Sequence, residues 1–209
     1  MTWPREGLTK LKLATGDLSG AIQVFETLAQ PLADLETIRQ VAAAYTSLGR
    51  LDSAELLYRQ ALALEPENAM VHQELGDVLT RQERHEEAAE LYEHGLRIVE
   101  RDVAGSPSDL DTELRLAVLA AKVQDCSRAL PSASTLLRHP ERSPETYHEL
   151  AKVFALCGDP KTAIDTLAVA LRHGLEPERI RSEPVFQELT SEAGFQAILS
   201  EAEGIPPSP

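Results

Sequence analysis

Apolar residues recur at three- and four-residue intervals through most of this chain, in short segments separated by polar turns. Residues 35–48 and 51–64 both show this spacing, and Gly49-Arg50 stands between them. Such spacing places the apolar side chains on one stripe of an α-helix, and glycine allows the chain to reverse in a tight turn. The pattern therefore predicts pairs of antiparallel amphipathic helices.

The helix pair recurs along the chain at a nearly constant interval. A step of 34 residues brings residues 35–68 into register with 69–102 and relates 110–143 to 144–177, while residues 2–34 match at a step of 33. A helix pair of this length cannot bury its own apolar face and must stack on copies of itself. We therefore expect five helix pairs. The first is the most degenerate, because Lys12 stands where an aromatic residue is expected.

Residues 35–68 resemble the tetratricopeptide repeat over their full length. They have small residues where helix axes approach, aromatic residues beside them, a glycine in the turn and a proline after the second helix, at Ala42, Tyr45, Gly49, Ala54, Tyr58, Ala61 and Pro66. The resemblance implies an all-α fold, a right-handed superhelical solenoid of about five helical hairpins. It also implies a scaffold or adaptor that binds other proteins and is not an enzyme.

Three segments do not follow the repeat. Residues 103–109, VAGSPSD, predict a surface loop, or a hinge between repeats 1–3 and repeats 4–5. Residues 178–203 resemble the C-terminal capping helices of many bacterial tetratricopeptide proteins. Residues 204–209 contain adjacent prolines and no apolar periodicity, so we expect a disordered tail.

Within the fourth helix pair, the second helix contains Pro131. Proline is tolerated in a helix only near its first turn, so we expect Pro131 to lie there.

Charge and cysteine content restrict the partners and the compartment. Thirty-four acidic residues against twenty basic ones give a formal charge of −14, which repels phosphate backbones and anionic lipids. No stretch is apolar enough for a bilayer span or a secretory signal. We therefore expect a cytoplasmic protein without nucleic-acid or membrane partners. Cys126 and Cys157 lie far apart in sequence and are expected to be reduced, partly buried thiols.

No motif predicts catalysis, a metal or a cofactor. His85-Glu86 and His148-Glu149 each begin like the helix of a zinc protease, but the second histidine of that motif is missing in both. A phosphate-binding loop, a nucleophile elbow and a paired-cysteine motif are also missing from the sequence. An enzyme remains an alternative, because a site built from distant repeats is invisible to a motif search.

In the tetratricopeptide family, the first helices of the pairs line a concave groove that holds the ligand. The resemblance implies a peptide-binding groove formed by Lys10, Arg39, Gln73, Asp77, Arg81, Leu114, Val118, Lys122, His148 and Lys152. Over all the ligand-facing positions that the resemblance implies, these five basic residues are balanced by five acidic ones, Glu6, Glu36, Asp77, Asp111 and Glu145. A groove without net charge suits a peptide with both apolar and acidic residues. The carboxylate clamp of chaperone-binding members is absent, because Ala43 and Glu74 stand where that clamp needs asparagine.

Two further alternatives concern binding. One is a dedicated chaperone for secreted or assembling proteins, similar to the acidic tetratricopeptide chaperones of bacterial secretion systems, although those usually have about three repeats. The other is a homo-oligomer formed through Trp3 and the degenerate first repeat, because an uncapped end of a repeat stack leaves apolar surface.

Overall fold

The computed structural model describes residues 3–27, 34–105, 109–139 and 142–202, except for the side chains of residues 3–6 and 105. Every regular element in these ranges is helical, which confirms the all-α prediction. The elements are α1 (Trp3–Ala14), α2 (Leu18–Glu26), α3 (Leu35–Ser47), α4 (Leu51–Leu64), α5 (Ala69–Arg81), α6 (His85–Gly105), α7 (Leu110–Lys122), α8 (Cys126–Leu137), α9 (Pro144–Leu156), α10 (Pro160–Arg172), α11 (Pro177–Arg181), a 3₁₀ helix (Pro184–Ser191) and α12 (Ala193–Ala202).

Side chains at the helix starts replace the missing backbone hydrogen-bond partners of the first turn. Asp34 Oδ1 accepts a hydrogen bond from the backbone N–H of Thr37 at 2.7 Å, three residues into α3. The same arrangement begins α2, α5, α7, α8, α9 and α10, where the capping residues are Asp17, Asn68, Asp109, Asp125, Ser143 and Asp159. These caps set where each helix begins.

The turn between the two helices of a pair has one recurring geometry. Gly49 has a φ of 73°, its N–H donates to the carbonyl of Thr46 at 3.1 Å, and the N–H of Arg50 donates to Tyr45 at 2.9 Å. Backbone bonds of the same two kinds occur in the turns at Gly16, Glu83, Gln124 and Gly158. The turn geometry therefore repeats even where the turn residue is not glycine.

Residues Met1–Ile98 form the first of two compact units, which we call unit 1. Its core contains Phe25 from α2, Ile38 from α3 and Leu75 and Leu79 from α5, all at most 2% exposed. A side chain at Gly76 would collide with the ring of Tyr92 on α6. This small residue therefore allows α5 and α6 to approach closely.

Residues Val99–Pro209 form the second compact unit, unit 2. Helices α7 and α8 pair, as do α9 and α10, and α7 also contacts α9. Leu119, Leu136, Leu150 and Leu167 are fully buried between them. The 3₁₀ helix packs against α9, and α12 packs against α10. The segment predicted as a cap thus lies on the last helix pair of unit 2.

The structure corrects two predictions about helix boundaries. Val103, Ala104 and Gly105 belong to α6 and not to a loop, because the first two have no helix-breaking character and continue the helix. Pro131 lies in the second turn of α8, after five other residues, and not in its first turn. The predictions for residues 106–108 and 203–209, and for the side chain of Trp3, lie outside the described residues.

The expected state of the cysteines is also wrong in this structure. Cys126 and Cys157 form a disulfide, with their Cα atoms 5.5 Å apart. Cys126 is the first residue of α8 and Cys157 follows the last residue of α9. Packing of α8 against α9 brings together residues that are 31 positions apart in sequence. Such bonds persist in oxidising compartments, so cysteine content no longer supports a cytoplasmic location.

Candidate functional site

Unit 1 presents a surface formed by the first helices of its pairs, α1, α3 and α5. Arg39 of α3 lies at its centre and donates to Glu36 at 2.9 Å within α3, and to Glu74 of α5 at 2.6 Å. The Arg39 and Glu74 side chains are only 21% and 22% exposed. Burial lowers the pKa of Arg39, but Glu74 and Glu36 outweigh this effect and raise it. Arg39 therefore joins two helices as a permanently charged group.

Other predicted groove residues of unit 1 are also held by the protein itself. Arg81 donates to the backbone carbonyl of Thr46 at 2.8 Å, and Asp77 accepts from the hydroxyl of Tyr92 at 2.7 Å. Lys10 binds Asp34 at 2.8 Å. Gln73 is half-buried on α5. Arg39 and Arg81 thus each link α3 to α5, Arg39 as a half-buried residue and Arg81 as an exposed one.

An open cleft lies on this surface between α1 and α3. Its volume is about 540 Å³, and its lining combines apolar residues with a few polar ones: Lys10, Leu13, Ala14, Leu18, Glu36, Gln40, Ala43, Ala44 and Ser47. Pockets for small molecules typically have volumes of about 300 to 1,000 Å³ and apolar linings with a few polar groups. We call this feature the α1–α3 cleft. The sequence resemblance indicated Lys10, Glu36 and Ala43 as ligand-facing residues but gave no signal for the cleft itself.

The predicted groove residues of unit 2 lie on α7 and α9 and are less accessible. Leu114 and Lys122 are half-buried. Val118 and His148 are 4% and 2% exposed, so their side chains are almost wholly covered by the protein itself. The Lys152 side chain is 14% exposed. Helix position alone could not show how deeply each side chain would be covered.

The C-terminal segment explains why α9 is covered. Phe186 of the 3₁₀ helix packs its ring edge on His148, with centroids 5.6 Å apart. Glu183, just before that helix, lies 3.7 Å from Lys152 Nζ, which also binds Glu149 at 2.7 Å. Burial lowers the pKa of Lys152, but Glu149 and Glu183 outweigh it and raise it. The charged end of Lys152 is therefore directed at carboxylates of its own chain.

His148 has an unusual environment inside unit 2. Neither ring nitrogen has a hydrogen-bond partner among the described residues, and Glu149 Oε1 is 3.9 Å from Nδ1. Burial, reinforced by the positive charge of Lys152, lowers the pKa of His148 to about 4. The imidazole is therefore neutral at pH 7.

Other features bear on metal binding and membranes. No group of three metal-ligating side chains occurs within the described residues. His72 and His94 stack their rings 4.5 Å apart in unit 1, and His72 is 5% exposed, which is a packing arrangement. Among the described helices, none combines the length and the apolar character needed to cross a bilayer.

The helices form pairs that meet at small residues, share a recurring turn and stack one pair on the next. These features define a helical-repeat protein. Residues 42–102 match the family model of the tetratricopeptide repeat. This part of the chain therefore contains tetratricopeptide repeats, as the sequence resemblance predicted, and the all-helical fold is the one expected of such proteins. No curated protein matches the chain in sequence.

Solved structures of tetratricopeptide proteins have a similar fold. A thermophilic tetratricopeptide repeat protein of Thermus thermophilus is 18% identical, with 98% of this chain and 100% of that chain covered and a TM-score of 0.61. One from Parabacteroides merdae is 15% identical, with 95% and 83% covered and a TM-score of 0.51. MamA from Desulfovibrio magneticus is 18% identical, with 87% and 97% covered and a TM-score of 0.51. These similarities support the helical-repeat fold.

Proposed function

We propose that this protein is an interaction scaffold that binds a partner peptide on the surface of α1 and α3 in unit 1. The observation that carries the proposal is the α1–α3 cleft, which is open and has an apolar wall. The ion pairs of Arg39 hold α3 against α5, so the cleft has a rigid side. A preformed surface reduces the entropy that binding must overcome.

Peptide selection followed by nuclear magnetic resonance tests this proposal. A phage-displayed library of random 12-residue peptides is selected on the full chain, and recurring sequences are synthesised and titrated into ¹⁵N-labelled protein. We expect amide shifts that cluster on α1 and α3. Selection of no peptide, or shifts confined to second helices such as α4, would contradict the proposal. A dedicated chaperone would use the same surface but would prefer an unfolded protein over any short selected peptide.

Self-association is a second candidate, favoured by exposed leucines on α1. Leu8 is 42% exposed and Leu11 is 60% exposed, and exposed apolar residues that are close together mark contact surfaces. Sedimentation at several protein concentrations tests this candidate. We expect a mass that rises with concentration and a return to the monomer in Leu11→Gln. A monomer at every concentration would rule it out.

A further inference from the structure

The α1–α3 cleft is accessible because both of its walls contain alanine. Ala14 of α1 and Ala43 and Ala44 of α3 line it, and their side chains end at Cβ. Leu13 and Leu18 provide the larger apolar contacts. A wall of this kind offers dispersion contacts and apolar burial to an inserted side chain, but few hydrogen bonds. The lining therefore favours an aliphatic or aromatic side chain.

The polar rim shows which charge can accompany that side chain. Lys10 binds Asp34, and Arg39 is bound by Glu36 and Glu74. The two carboxylate side chains closest to solvent, Asp34 and Glu36, are 51% and 52% exposed. Lys10 is itself 45% exposed, so its pair with Asp34 favours neither charge, whereas Arg39 is 21% exposed beside the more accessible Glu36. An acidic peptide could reach Arg39 only by displacing Glu36 or Glu74, whereas a basic peptide can approach the exposed carboxylate of Glu36 from solvent.

The net charge of unit 1 also favours a basic peptide over an acidic one. Unit 1 contains nine basic and sixteen acidic residues, a formal charge of −7. A net negative field attracts a cationic partner during its approach and repels an anionic one. This differs from the peptide with apolar and acidic residues that the sequence predicted, because Arg39 beside the cleft is held by Glu36 and Glu74.

We infer that the α1–α3 cleft receives one leucine, methionine or phenylalanine side chain of a partner peptide whose neighbouring residues are lysine or arginine. This inference rests on the proposed function, since it specifies the peptide for the same surface. Gln40 donates to Glu36 at 2.6 Å on the rim, so the carboxylate that would meet a basic residue is already oriented.

Substitutions in the cleft and in the peptide test the inference together. The probes are the selected 12-residue peptides, labelled with fluorescein, and versions in which each apolar residue is changed to glycine. Ala43→Leu narrows the cleft from α3, and Ala14→Leu narrows it from α1. Ala89→Leu is the matched control, because Ala89 is exposed on α6. Circular dichroism establishes that each variant is folded before anisotropy is measured.

We expect the selected peptides to contain an apolar residue beside lysine or arginine. Ala43→Leu or Ala14→Leu, and glycine at the apolar position, should each weaken binding by about 10- to 100-fold, whereas Ala89→Leu should not. Peptides that bind α1 and α3 but are acidic, or that bind equally to every folded variant, would overturn the inference and leave the proposed function intact. Loss of self-association in Ala43→Leu without any effect on peptides would overturn it too, and would assign the cleft to a second copy of the chain.

Discussion

Arg39 shows how a residue at a ligand-facing repeat position can be used by the fold. Its guanidinium joins α3 to α5 through Glu74 and is four-fifths covered. A charge in such surroundings is stable only while its partner remains. Charge reversal at Arg39 would therefore disturb unit 1 before it affected any ligand, and the cleft residues Ala14 and Ala43 give cleaner tests of binding.

Replacement of Arg39 should measure how much its ion pairs stabilise unit 1. Arg39→Met leaves Glu74 without its cation, and we expect the free energy of unfolding in urea to fall by about 2 kcal/mol. The double variant Arg39→Met/Glu74→Leu should recover most of the loss, because it removes both charges. Arg97→Met is the control, since Arg97 and Glu93 are 63% and 61% exposed and such pairs contribute little. Equal losses at Arg39 and Arg97 would contradict the interpretation.

Protonation of His148 should destabilise unit 2 in acid. The folded pKa of about 4 lies below the usual 6.5, so the unfolded chain binds the proton first. The stability that the neutral imidazole contributes is fully present above pH 6.5 and is lost as the pH falls towards 4. Over that range the free energy of unfolding falls by at most about 1.4 kcal/mol per pH unit. The charged groups around the ring are Glu145, Glu149, Lys152 and Arg179.

Urea unfolding of the wild type and His148→Phe between pH 7 and pH 4 measures this contribution. The carboxylates titrate in both proteins, so the difference between the two curves isolates the histidine. We expect the variant to gain stability relative to the wild type as the pH falls. Parallel curves would mean that His148 is accessible to protons in the folded state.

At the scale of the elements, the turns within helix pairs depend on backbone geometry more than on residue type. Glu83 and Gln124 have φ values of 64° and 63° and make the same turn bonds as Gly49. This left-handed conformation costs a residue with a Cβ about 1 to 2 kcal/mol. The stacked helices on either side hold Glu83 and Gln124 in it.

Glycine at position 124 should therefore stabilise unit 2. Gln124→Gly removes the steric cost, and we expect the free energy of unfolding to rise by up to about 1 kcal/mol. Part of that gain is lost because glycine makes the unfolded chain more flexible. The opposite change, Gly158→Gln at the equivalent turn, should destabilise the same unit. A gain from both substitutions, or a loss from both, would be inconsistent with this account.

The helices could be predicted because their causes are local. Apolar spacing, capping residues such as Asp34 and turn glycines such as Gly49 all act within a few positions. The disulfide and the α1–α3 cleft could not be predicted, since both arise where one helix packs on another. Burial of His148 depends on Phe186, which lies in a different element much further along the chain. The sequence thus indicated the surface but not which parts of it are open.

At the scale of the whole molecule, the chain forms two compact units, each with an apolar core. Phe25, Ile38 and Leu75 are buried in unit 1, and Leu119 and Leu150 are buried in unit 2. Contacts concentrated within each unit are the property that lets a segment fold alone. Only unit 2 contains cysteine, so a reductant distinguishes the two.

Fragments should therefore fold independently and differ in their response to reduction. Residues 1–105 retain all of α6, and residues 99–209 retain all of unit 2. We expect both fragments to be helical and to unfold cooperatively, and a reductant to lower the stability of the second by about 3 to 4 kcal/mol, because its disulfide closes a loop of roughly 30 residues. Circular dichroism in urea measures the stability, and intact mass before and after alkylation establishes the bond. Unfolded fragments would show that the cores depend on each other, whereas a second fragment with free thiols and unchanged stability would show that stacking of α8 on α9 needs no covalent link.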